Sequence, residues 1–207
     1  MRVGIITFPG TTAARDAAVG LRAAGAEPES LWWTDTDFDH LDALVLPGGS
    51  SHGDALRPGA IAARAPVFDA IRRFAATGAG VLGIGNGFQM LTEAGLLPGA
   101  LLLNESGRFM CDTVRVNLVG SDEQLDLPIA HSHGRYVAGA SVLTELNEQD
   151  RIVLRYLDEV NGSVERIAGV RGENRNVIGV MVRPERATDA LLGGEDGLSL
   201  FRALLPR

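Results

Sequence analysis

The twelve residues from Gly80 to Leu91 constrain the fold more than any other stretch of this chain. A short apolar run, Val81 to Ile84, predicts a buried strand, and Gly85-Asn86-Gly87 predicts a sharp turn. From Phe88 to Ala94 the apolar residues recur at helical spacing. Strand, sharp turn and helix form the geometry of a nucleophile elbow, which holds one side chain beside the first helical N–H groups. The tip residue is Gly85, so the sequence predicts an elbow without a nucleophile.

Charge and cysteine content exclude several classes of function. The formal net charge of −7 argues against nucleic acid and against an anionic membrane as partners. The chain contains no lysine, which excludes a lysine nucleophile, and its single cysteine, Cys111, excludes an internal disulfide and a cysteine-rich metal site. Its N-terminal residues do not resemble a signal peptide, and no apolar run reaches the roughly 20 residues that span a bilayer. We therefore expect a cytoplasmic protein.

Strands and helices alternate through the first half of the chain. The patterns predict strands over residues 3–7, 29–33, 43–46 and 81–84, with helices over 13–24 and 66–77. Such alternation indicates an α/β fold with a doubly wound, mostly parallel sheet in three layers. Ligands of these sheets lie at the carboxyl ends of the strands. We therefore expect three loops to meet there: Phe8–Thr12, Gly48–Asp54 and Gly85–Gly87.

The pattern changes after Pro98. Strands are predicted over residues 100–103, 110–119, 151–157, 165–170 and 177–182, the last three alternating like antiparallel or edge strands. Residues 120–127 are interpreted as an acidic insertion, and residues 196–205 as a closing helix. Without an internal repeat or a low-complexity linker, the chain is predicted to form one domain over residues 1–207.

Several motifs in fitting order resemble one family over nearly the whole chain. They are Ile6-Thr7-Phe8-Pro9-Gly10, Leu46-Pro47-Gly48-Gly49, the stretch from Gly53 to Ala62, Gly83 to Gln89, Gly95 to Ala100, Gly134-Arg135-Tyr136 and Pro184-Glu185. The chain resembles the glutaminase subunit of phosphoribosylformylglycinamidine synthase, the PurQ family of class I glutamine amidotransferases. The resemblance implies a synthetase partner that uses ATP and receives ammonia.

The resemblance also implies a Cys-His-Glu triad, of which only one member is present here. The position of the nucleophilic Cys is occupied by Gly85 and that of the His by Arg183, while Glu185 is retained. Glycine cannot attack a carbonyl, and a guanidinium cannot act as a base near neutral pH. Since losing one such group typically costs several orders of magnitude in rate, we expect no ordinary glutaminase activity.

Further departures from the family pattern surround this triad. Pro58 stands where the family usually has Cys, His52 replaces a Tyr and His133 replaces a Glu. Together with Gly85 and Arg183, these five departures indicate natural divergence. The remaining pocket is expected to be lined by candidate substrate-binding residues, namely Gly48, Gly49, Asn86, Gln89, His131 and Ser132.

Two interpretations of the altered site stay open. In one, His52 and His133 join Glu185 as a new acid/base group, or His52, His131 and His133 bind a metal together with Glu185. Because a His-x-His pair alone is a weak signal for a metal site, no metal ligand is assigned. In the other, Arg183 either pairs with Glu185 and fills the site or binds an anion at the position of the family's catalytic His.

Other nucleophiles are less well supported by the sequence. Cys111 lies in a predicted strand far from the elbow and is interpreted as a buried structural residue. Ser50 and Ser51 adjoin the Gly-Gly loop, but no motif places a base beside them.

Three functions follow from these interpretations. The first is a non-catalytic, PurQ-like subunit that supports an ATP-dependent, PurL-like synthetase in purine-like or specialised nucleotide metabolism. The second is a diverged enzyme that uses His52, His133 and Glu185 on another small molecule. The third is a glutaminase with an unusual nucleophile. We expect no cofactor, no nucleic acid and no membrane, and a homo-oligomer is left open.

Overall fold

The computed structural model describes residues 1–204, which form eleven strands and five α-helices. The strands are β1 (Arg2–Thr7), β2 (Glu27–Trp32), β3 (Ala43–Leu46), β4 (Gly80–Ile84), β5 (Ala100–Leu102), β6 (Met110–Leu118), β7 (Gln124–His131), β8 (Arg135–Val137), β9 (Ile152–Tyr156), β10 (Ile167–Arg171) and β11 (Val177–Val180). The helices are α1 (Ala14–Ala23), α2 (Val67–Ala76), α3 (Asn86–Glu93), α4 (Ala140–Glu148) and α5 (Asp196–Leu204). Residue 205 of the predicted closing helix lies outside the described residues.

Nine of these strands form one mixed sheet in the order β2-β1-β3-β4-β11-β10-β9-β6-β7. The pairs from β2 through β11 are parallel, and those from β11 through β7 are antiparallel. Strands β5 and β8 pair separately as a two-stranded antiparallel sheet. Helical crossovers connect parallel strands such as β3 and β4, as the alternating first half of the sequence predicts.

The sheet separates two apolar cores, so the molecule has three layers. Successive strand residues point to opposite faces: Ile6 and Leu44 join the core that contains the buried side chains of α2 and α3, whereas Ile5 and Val45 join the core that contains those of α1 and α5. This arrangement confirms the predicted three-layer α/β fold.

Three elements differ from the sequence predictions. Residues 124–127 are not part of an acidic insertion, because they begin β7, whose inward residues Leu125, Leu127 and Ile129 are buried. Helix α4 is absent from those predictions, and Leu146 is its one fully buried residue. Strand β11 pairs antiparallel with β10, as predicted, but it is not at an edge: it also pairs parallel with β4 and lies at the centre of the sheet.

Close contact between α3 and β3 leads to a stability prediction at Gly87. A Cβ at this buried helical position would overlap the backbone carbonyl oxygen of Leu46, which cannot move aside. Gly87→Ala is therefore expected to lower the free energy of unfolding by about 3 kcal/mol. Gly139→Ala is the control, since no atom lies within 4 Å of its Cβ position and its φ of −69° suits any residue. Equal urea midpoints for the two variants would contradict this prediction.

Candidate active site

The loop between β4 and α3 has the backbone of a nucleophile elbow. Gly85 lies at φ 55° and ψ −106°, between the end of β4 and the first residue of α3. Its N–H donates to the Val180 carbonyl at 2.8 Å, and its carbonyl accepts from the Gln89 N–H at 3.1 Å. A Cβ at Gly85 would find its nearest neighbours at 3.6 Å, on Arg183, and at 3.9 Å, on Gly48. The elbow therefore has room for a side chain and carries none.

The three loops predicted to meet at the carboxyl edge of the sheet do so. Thr11 and Gly49 form an isolated antiparallel bridge, and the Ser50 N–H donates to the Gly10 carbonyl at 2.9 Å. The Ser51 N–H donates to the Asn86 side-chain oxygen at 2.9 Å, which connects the second loop to the elbow. Hydrogen bonds between the loops thus hold the Gly-Gly turn beside the elbow tip.

Arg183 occupies the space beside the elbow, paired with Glu185. Their exposed fractions are 5% and 2%, and the Arg183 Nε donates to Glu185 Oε1 at 2.5 Å. Burial raises the pKa of the Glu185 carboxyl, and the Arg183 charge opposes that shift. The guanidinium lies so close to Gly48 that a Cβ there would be 2.8 Å from Arg183 Cζ. The Glu185 carboxylate is thus held by an arginine and not by an imidazole.

The cavity left at the elbow is small, with a volume of about 50 Å³. Pockets for drug-sized molecules are usually about 300–1,000 Å³, so this one in its present shape suits only a very small molecule. Its lining consists of Gly49, Ser50, Asp54, Pro58, Gly85, Asn86, Gln89, Phe109, Ala130, His131, Ser132, Met181 and Arg183. The structure thus places at this cavity all the candidate substrate-binding residues except Gly48, which lies behind Arg183.

Two of those residues are engaged in hydrogen bonds within the protein. The Asn86 amide nitrogen donates to Gln89 Oε1 at 2.9 Å and to Asp54 Oδ1 at 3.3 Å. The Gln89 nitrogen donates in turn to the His133 carbonyl. Because both side chains are buried, these bonds hold the surrounding loops in position.

His131 is a buried, neutral histidine with one nitrogen free. Its Nδ1 lies 3.0 Å from Asn104 Oδ1, an oxygen that can only accept, so Nδ1 carries the proton. Nε2 is therefore a lone-pair acceptor, and it has no hydrogen-bond partner. Burial lowers the pKa of His131 to about 4, and the Arg183 charge adds to this shift.

This lowered pKa predicts a specific pH dependence of stability. Between about pH 6.5 and pH 4 the unfolded chain binds a proton at His131 that the folded chain does not, so unfolding becomes easier as the pH falls. We expect His131→Gln to reduce the slope of the unfolding free energy against pH in this range, by at most about 1.4 kcal/mol per pH unit. His40→Gln is the control, because His40 is exposed and pairs with Glu29. Urea unfolding at a series of pH values measures the slope, and an unchanged slope in His131→Gln would contradict the prediction.

The other two candidate histidines make no described hydrogen bond to Glu185. The His52 ring packs edge-on against Phe8 and Trp33, with ring centroids 6.1 and 5.6 Å away, and its φ of 51° is left-handed. His133 Nδ1 shares a hydrogen bond with the Ser132 hydroxyl at 2.9 Å. Among residues 1–204, no hydrogen bond joins His52, His133 and Glu185, and no three His, Cys, Asp or Glu side chains are placed to hold a metal ion.

Among the alternative nucleophiles, Ser50 lies beside a carboxyl group, that of Asp54. Cys111 is exposed on β6, which corrects the prediction of a buried structural cysteine: its side chain alternates with the inward-facing residues of the strand. The Ser51 hydroxyl is buried and has no partner. Ser50 lines the cavity, and its hydroxyl bonds to Asp54, whose pKa is raised by burial against the opposing effect of that bond.

Sequence reasoning missed two residues that shape this site. Asn104 is buried and connects two segments, donating to the His131 carbonyl at 2.9 Å and accepting from the Gly134 N–H at 3.1 Å. Asp54 supplies a carboxylate to the cavity. No local pattern in the sequence indicates Asn104. Asp54 lies within one of the motifs that carry the family resemblance, but the resemblance assigns it no role.

Comparison with known proteins places this chain in a family. Residues 1–193 match the CobB/CobQ-like glutamine amidotransferase domain. The chain is 50% identical to the phosphoribosylformylglycinamidine synthase subunit PurQ of Rubrobacter xylanophilus, over 99% of this chain and 98% of that protein. It is 47% identical to the PurQ subunit of Mycobacterium tuberculosis, over 99% and 96% of the two chains.

Solved structures share the fold of this chain. A chain in the structure of PurLQS from Thermotoga maritima superposes with a TM-score of 0.90 at 43% identity, covering 98% of this chain and 96% of that one. The structure of another glutamine amidotransferase from Thermotoga maritima, with a TM-score of 0.60 at 16% identity, shares the fold over 98% of this chain and 83% of that one. Within residues 1–204, no helix has the length and hydropathy needed to cross a membrane.

Proposed function

Because this chain belongs to the PurQ family of glutamine amidotransferases, we propose that it is a PurQ-like subunit that has lost ordinary glutaminase chemistry. In this proposal it supports an ATP-dependent synthetase of the PurL type, which forms an amide or amidine in purine-like or specialised nucleotide metabolism in the cytoplasm. The synthetase uses free ammonia or another amine in place of ammonia released from glutamine.

The proposal is based on the residues found at two positions of the elbow, which supply neither the nucleophile nor the base of a glutaminase. Gly85 offers no nucleophilic atom, and the buried Arg183 takes the position beside it. A guanidinium stays protonated at every pH at which the protein is folded, so it can neither accept a proton from a nucleophile nor pass one to a leaving amine. Covalent attack on the glutamine amide thus lacks both its nucleophile and its base.

The preserved scaffold supports the second part of the proposal. The loops at the carboxyl edge of the sheet keep their hydrogen bonds to one another, and the elbow keeps its backbone shape without a nucleophile to present. The solved relative from Thermotoga maritima is described as part of PurLQS. A chain that retains the fold of such a subunit and lacks the triad is suited to stabilising or regulating a synthetase.

The two alternative functions make different demands on the structure. A diverged enzyme using His52, His133 and Glu185 needs Glu185 to leave its buried pair with Arg183. A glutaminase with another nucleophile needs a base near Ser50, Ser51 or Cys111. The hydrogen bond between Ser50 and Asp54 is one contact of this kind, and reconstitution with the synthetase distinguishes both alternatives from the proposed function.

Reconstitution with the synthetase subunit of the same organism tests this proposal. The two purified proteins are expected to co-elute, and the mixture to form product from ammonium but not from glutamine. The PurQ relative of Rubrobacter xylanophilus, assayed with its own synthetase, is the positive control for glutamine. Product formed from glutamine would contradict the loss of glutaminase, and absence of co-elution would contradict the supporting role.

A further inference from the structure

A larger cavity lies at the edge of the sheet opposite the elbow. Its volume is about 340 Å³, and its wall combines the end of α2, the loop after α3, the residue before β9 and the turn between β10 and β11. Ala76, which ends α2, and Val177, which begins β11, place it at the amino edge of the parallel strands. Small-molecule sites usually have volumes of roughly 300–1,000 Å³, so this cavity is large enough for a ligand. The proposed function does not use it.

Arg151 brings a buried guanidinium to this cavity. The residue is 4% exposed, and its Nε and Nη1 donate to the Arg171 carbonyl and to the Glu145 carboxylate. Its Nη2 makes no hydrogen bond within residues 1–204 and, unlike Arg183 Nη2, keeps accessible surface. Because Arg151 lines the cavity and is otherwise enclosed, this nitrogen is a donor available to a ligand there.

Two further contacts show where the positive charge lies. Burial raises the pKa of the Tyr136 hydroxyl, and the Arg151 charge opposes that shift, so the guanidinium lies near this hydroxyl. The hydroxyl donates at 2.9 Å to the carbonyl of Pro98, a residue of the cavity wall. Arg72 also lines the cavity, and its guanidinium is held there by a hydrogen bond to the Ala94 carbonyl. Two arginines therefore offer donors to an anionic group.

Negative groups at the same cavity oppose a simple anion. Glu173 lines it, as do Ala75 and Ala76 at the end of α2 and Gly95 and Leu96 just beyond α3. The last carbonyls of a helix have no partner within it and form the negative end of its dipole. These groups favour a positive group that donates hydrogen bonds, whereas the two arginines favour a negative one.

An apolar surface forms the remaining wall. Leu97 and Val177 are 3% and 6% exposed, and both line the cavity. Leu96 and Pro98, on either side of Leu97, line it as well. A ligand that fits this cavity therefore combines an anionic group, a cationic group and an apolar part, since ligand sites pair apolar walls with a few polar groups.

From these features we infer that the cavity binds an α-amino acid with an apolar side chain, in its zwitterionic form. The carboxylate accepts hydrogen bonds from Arg151 Nη2 and from Arg72. The ammonium group donates to Glu173 and to the helix-end carbonyls, and the side chain packs against Leu97 and Val177. The inference goes beyond the proposed function and does not depend on it, because the elbow lies at the other edge of the sheet.

Leucine and two analogues that each lack one charged group test this assignment. In isothermal titration calorimetry at neutral pH, leucine is expected to bind with a dissociation constant of roughly 10 μM to 1 mM. Isocaproate, which lacks the ammonium group, and isoamylamine, which lacks the carboxylate, should each bind at least about tenfold more weakly. Absence of leucine binding, or equal affinity for the three molecules, would overturn the inference.

Matched variants assign the binding to this cavity. Arg72→Gln is expected to weaken leucine binding by at least about tenfold, whereas Arg73→Gln removes the same charge from an exposed neighbour in α2 outside the cavity wall and should leave it unchanged. Glu173→Gln should weaken the binding of leucine but not of isocaproate, which has no ammonium group. Arg151→Gln should abolish leucine binding, and circular dichroism checks its folding because the change removes the partner of Glu145.

The outcomes are separate from those of the proposed function. Leucine binding that is equal in Arg72→Gln and Arg73→Gln would place the ligand elsewhere and overturn the inference. Binding that is weakened in Arg72→Gln alone, with the expected effect of Glu173→Gln, would support the site. Because the titrations use the purified chain without glutamine or synthetase, neither result bears on the loss of glutaminase.

Discussion

The double variant Gly85→Cys with Arg183→His is expected to release glutamate from glutamine, whereas the unaltered chain does not. The backbone at position 85 already has the elbow conformation, and a Cβ there meets no atom closer than 3.6 Å. Glu185 is in place to orient an imidazole at position 183 in the way a triad acid does. Replacing the guanidinium with the smaller imidazole ring also enlarges the cavity, which makes more room for glutamine.

The expected increase in the rate of glutamate release follows from the way in which a nucleophile and its base act together. We expect a rate about 10²–10⁴-fold above background, the range that one positioned acid–base group contributes. Each single variant should stay at background, because nucleophile and base function as a unit. The cysteine at a positive φ is expected to cost of order 1–3 kcal/mol of stability, so folding is checked by circular dichroism. A folded double variant without activity would show that residues beyond the triad have also been lost.

Removing Arg183 alone is expected to destabilise the protein more than any surface substitution. Glu185 is 2% exposed, and its carboxylate depends on the Arg183 guanidinium for its counter-charge. Arg183→Leu leaves this acid buried and unpaired, which typically costs about 3–5 kcal/mol. Urea unfolding measures the loss through the fluorescence of Trp32 and Trp33, the two tryptophans of the chain.

Two controls make this stability prediction specific. Arg183→Leu combined with Glu185→Leu removes both charges and should recover most of the loss, because an apolar pair leaves no buried charge. Arg186→Gln disrupts the exposed pair with Asp16, which is 3.7 Å long, and should change stability by about 1 kcal/mol at most. If the double variant were no more stable than Arg183→Leu, packing of the arginine stem and not its charge would explain the effect.

Local patterns predict those parts of the fold that depend on local interactions. The sequence predicts the four residues of β3 without error and α2 to within one residue at each end. The meeting of the Gly-Gly loop with the elbow follows from the rule that parallel strands end at one edge. These features are determined by periodicity and by glycine and proline, which act within a few residues.

The errors arise where partners distant in sequence decide the structure. The central position of β11 depends on its pairing with β4, almost a hundred residues earlier. Its uninterrupted apolar run from Val177 to Val182 is typical of a strand buried on both faces, and the interpretation as an alternating strand overlooks this. Helix α4 packs largely through Leu146, so its amphipathic pattern is weak. The alternation of Leu125, Leu127 and Ile129 does indicate β7, but the acidic residues before it favour the wrong interpretation as an insertion.

The features of the candidate site also fall into those that the sequence predicts and those that depend on contacts between distant segments. The absence of a nucleophile at Gly85 is evident from the sequence, and pairing of Arg183 with Glu185 is one of two interpretations that it leaves open. The structure shows that pair. The small size of the cavity, the protonation of His131 on Nδ1 and the contribution of Asn104 depend on contacts between separate segments. Such contacts need the three-dimensional arrangement.

Glutamate release from glutamine by the purified chain, alone and with its synthetase subunit, tests the central claim most directly. The account predicts a rate no higher than that of a blank without protein, in both conditions, because Gly85 supplies no nucleophile and Arg183 supplies no base. A substantial rate in a preparation free of other amidotransferases would contradict it. The nucleophile would then have to be sought among Ser50, Ser51 and Cys111.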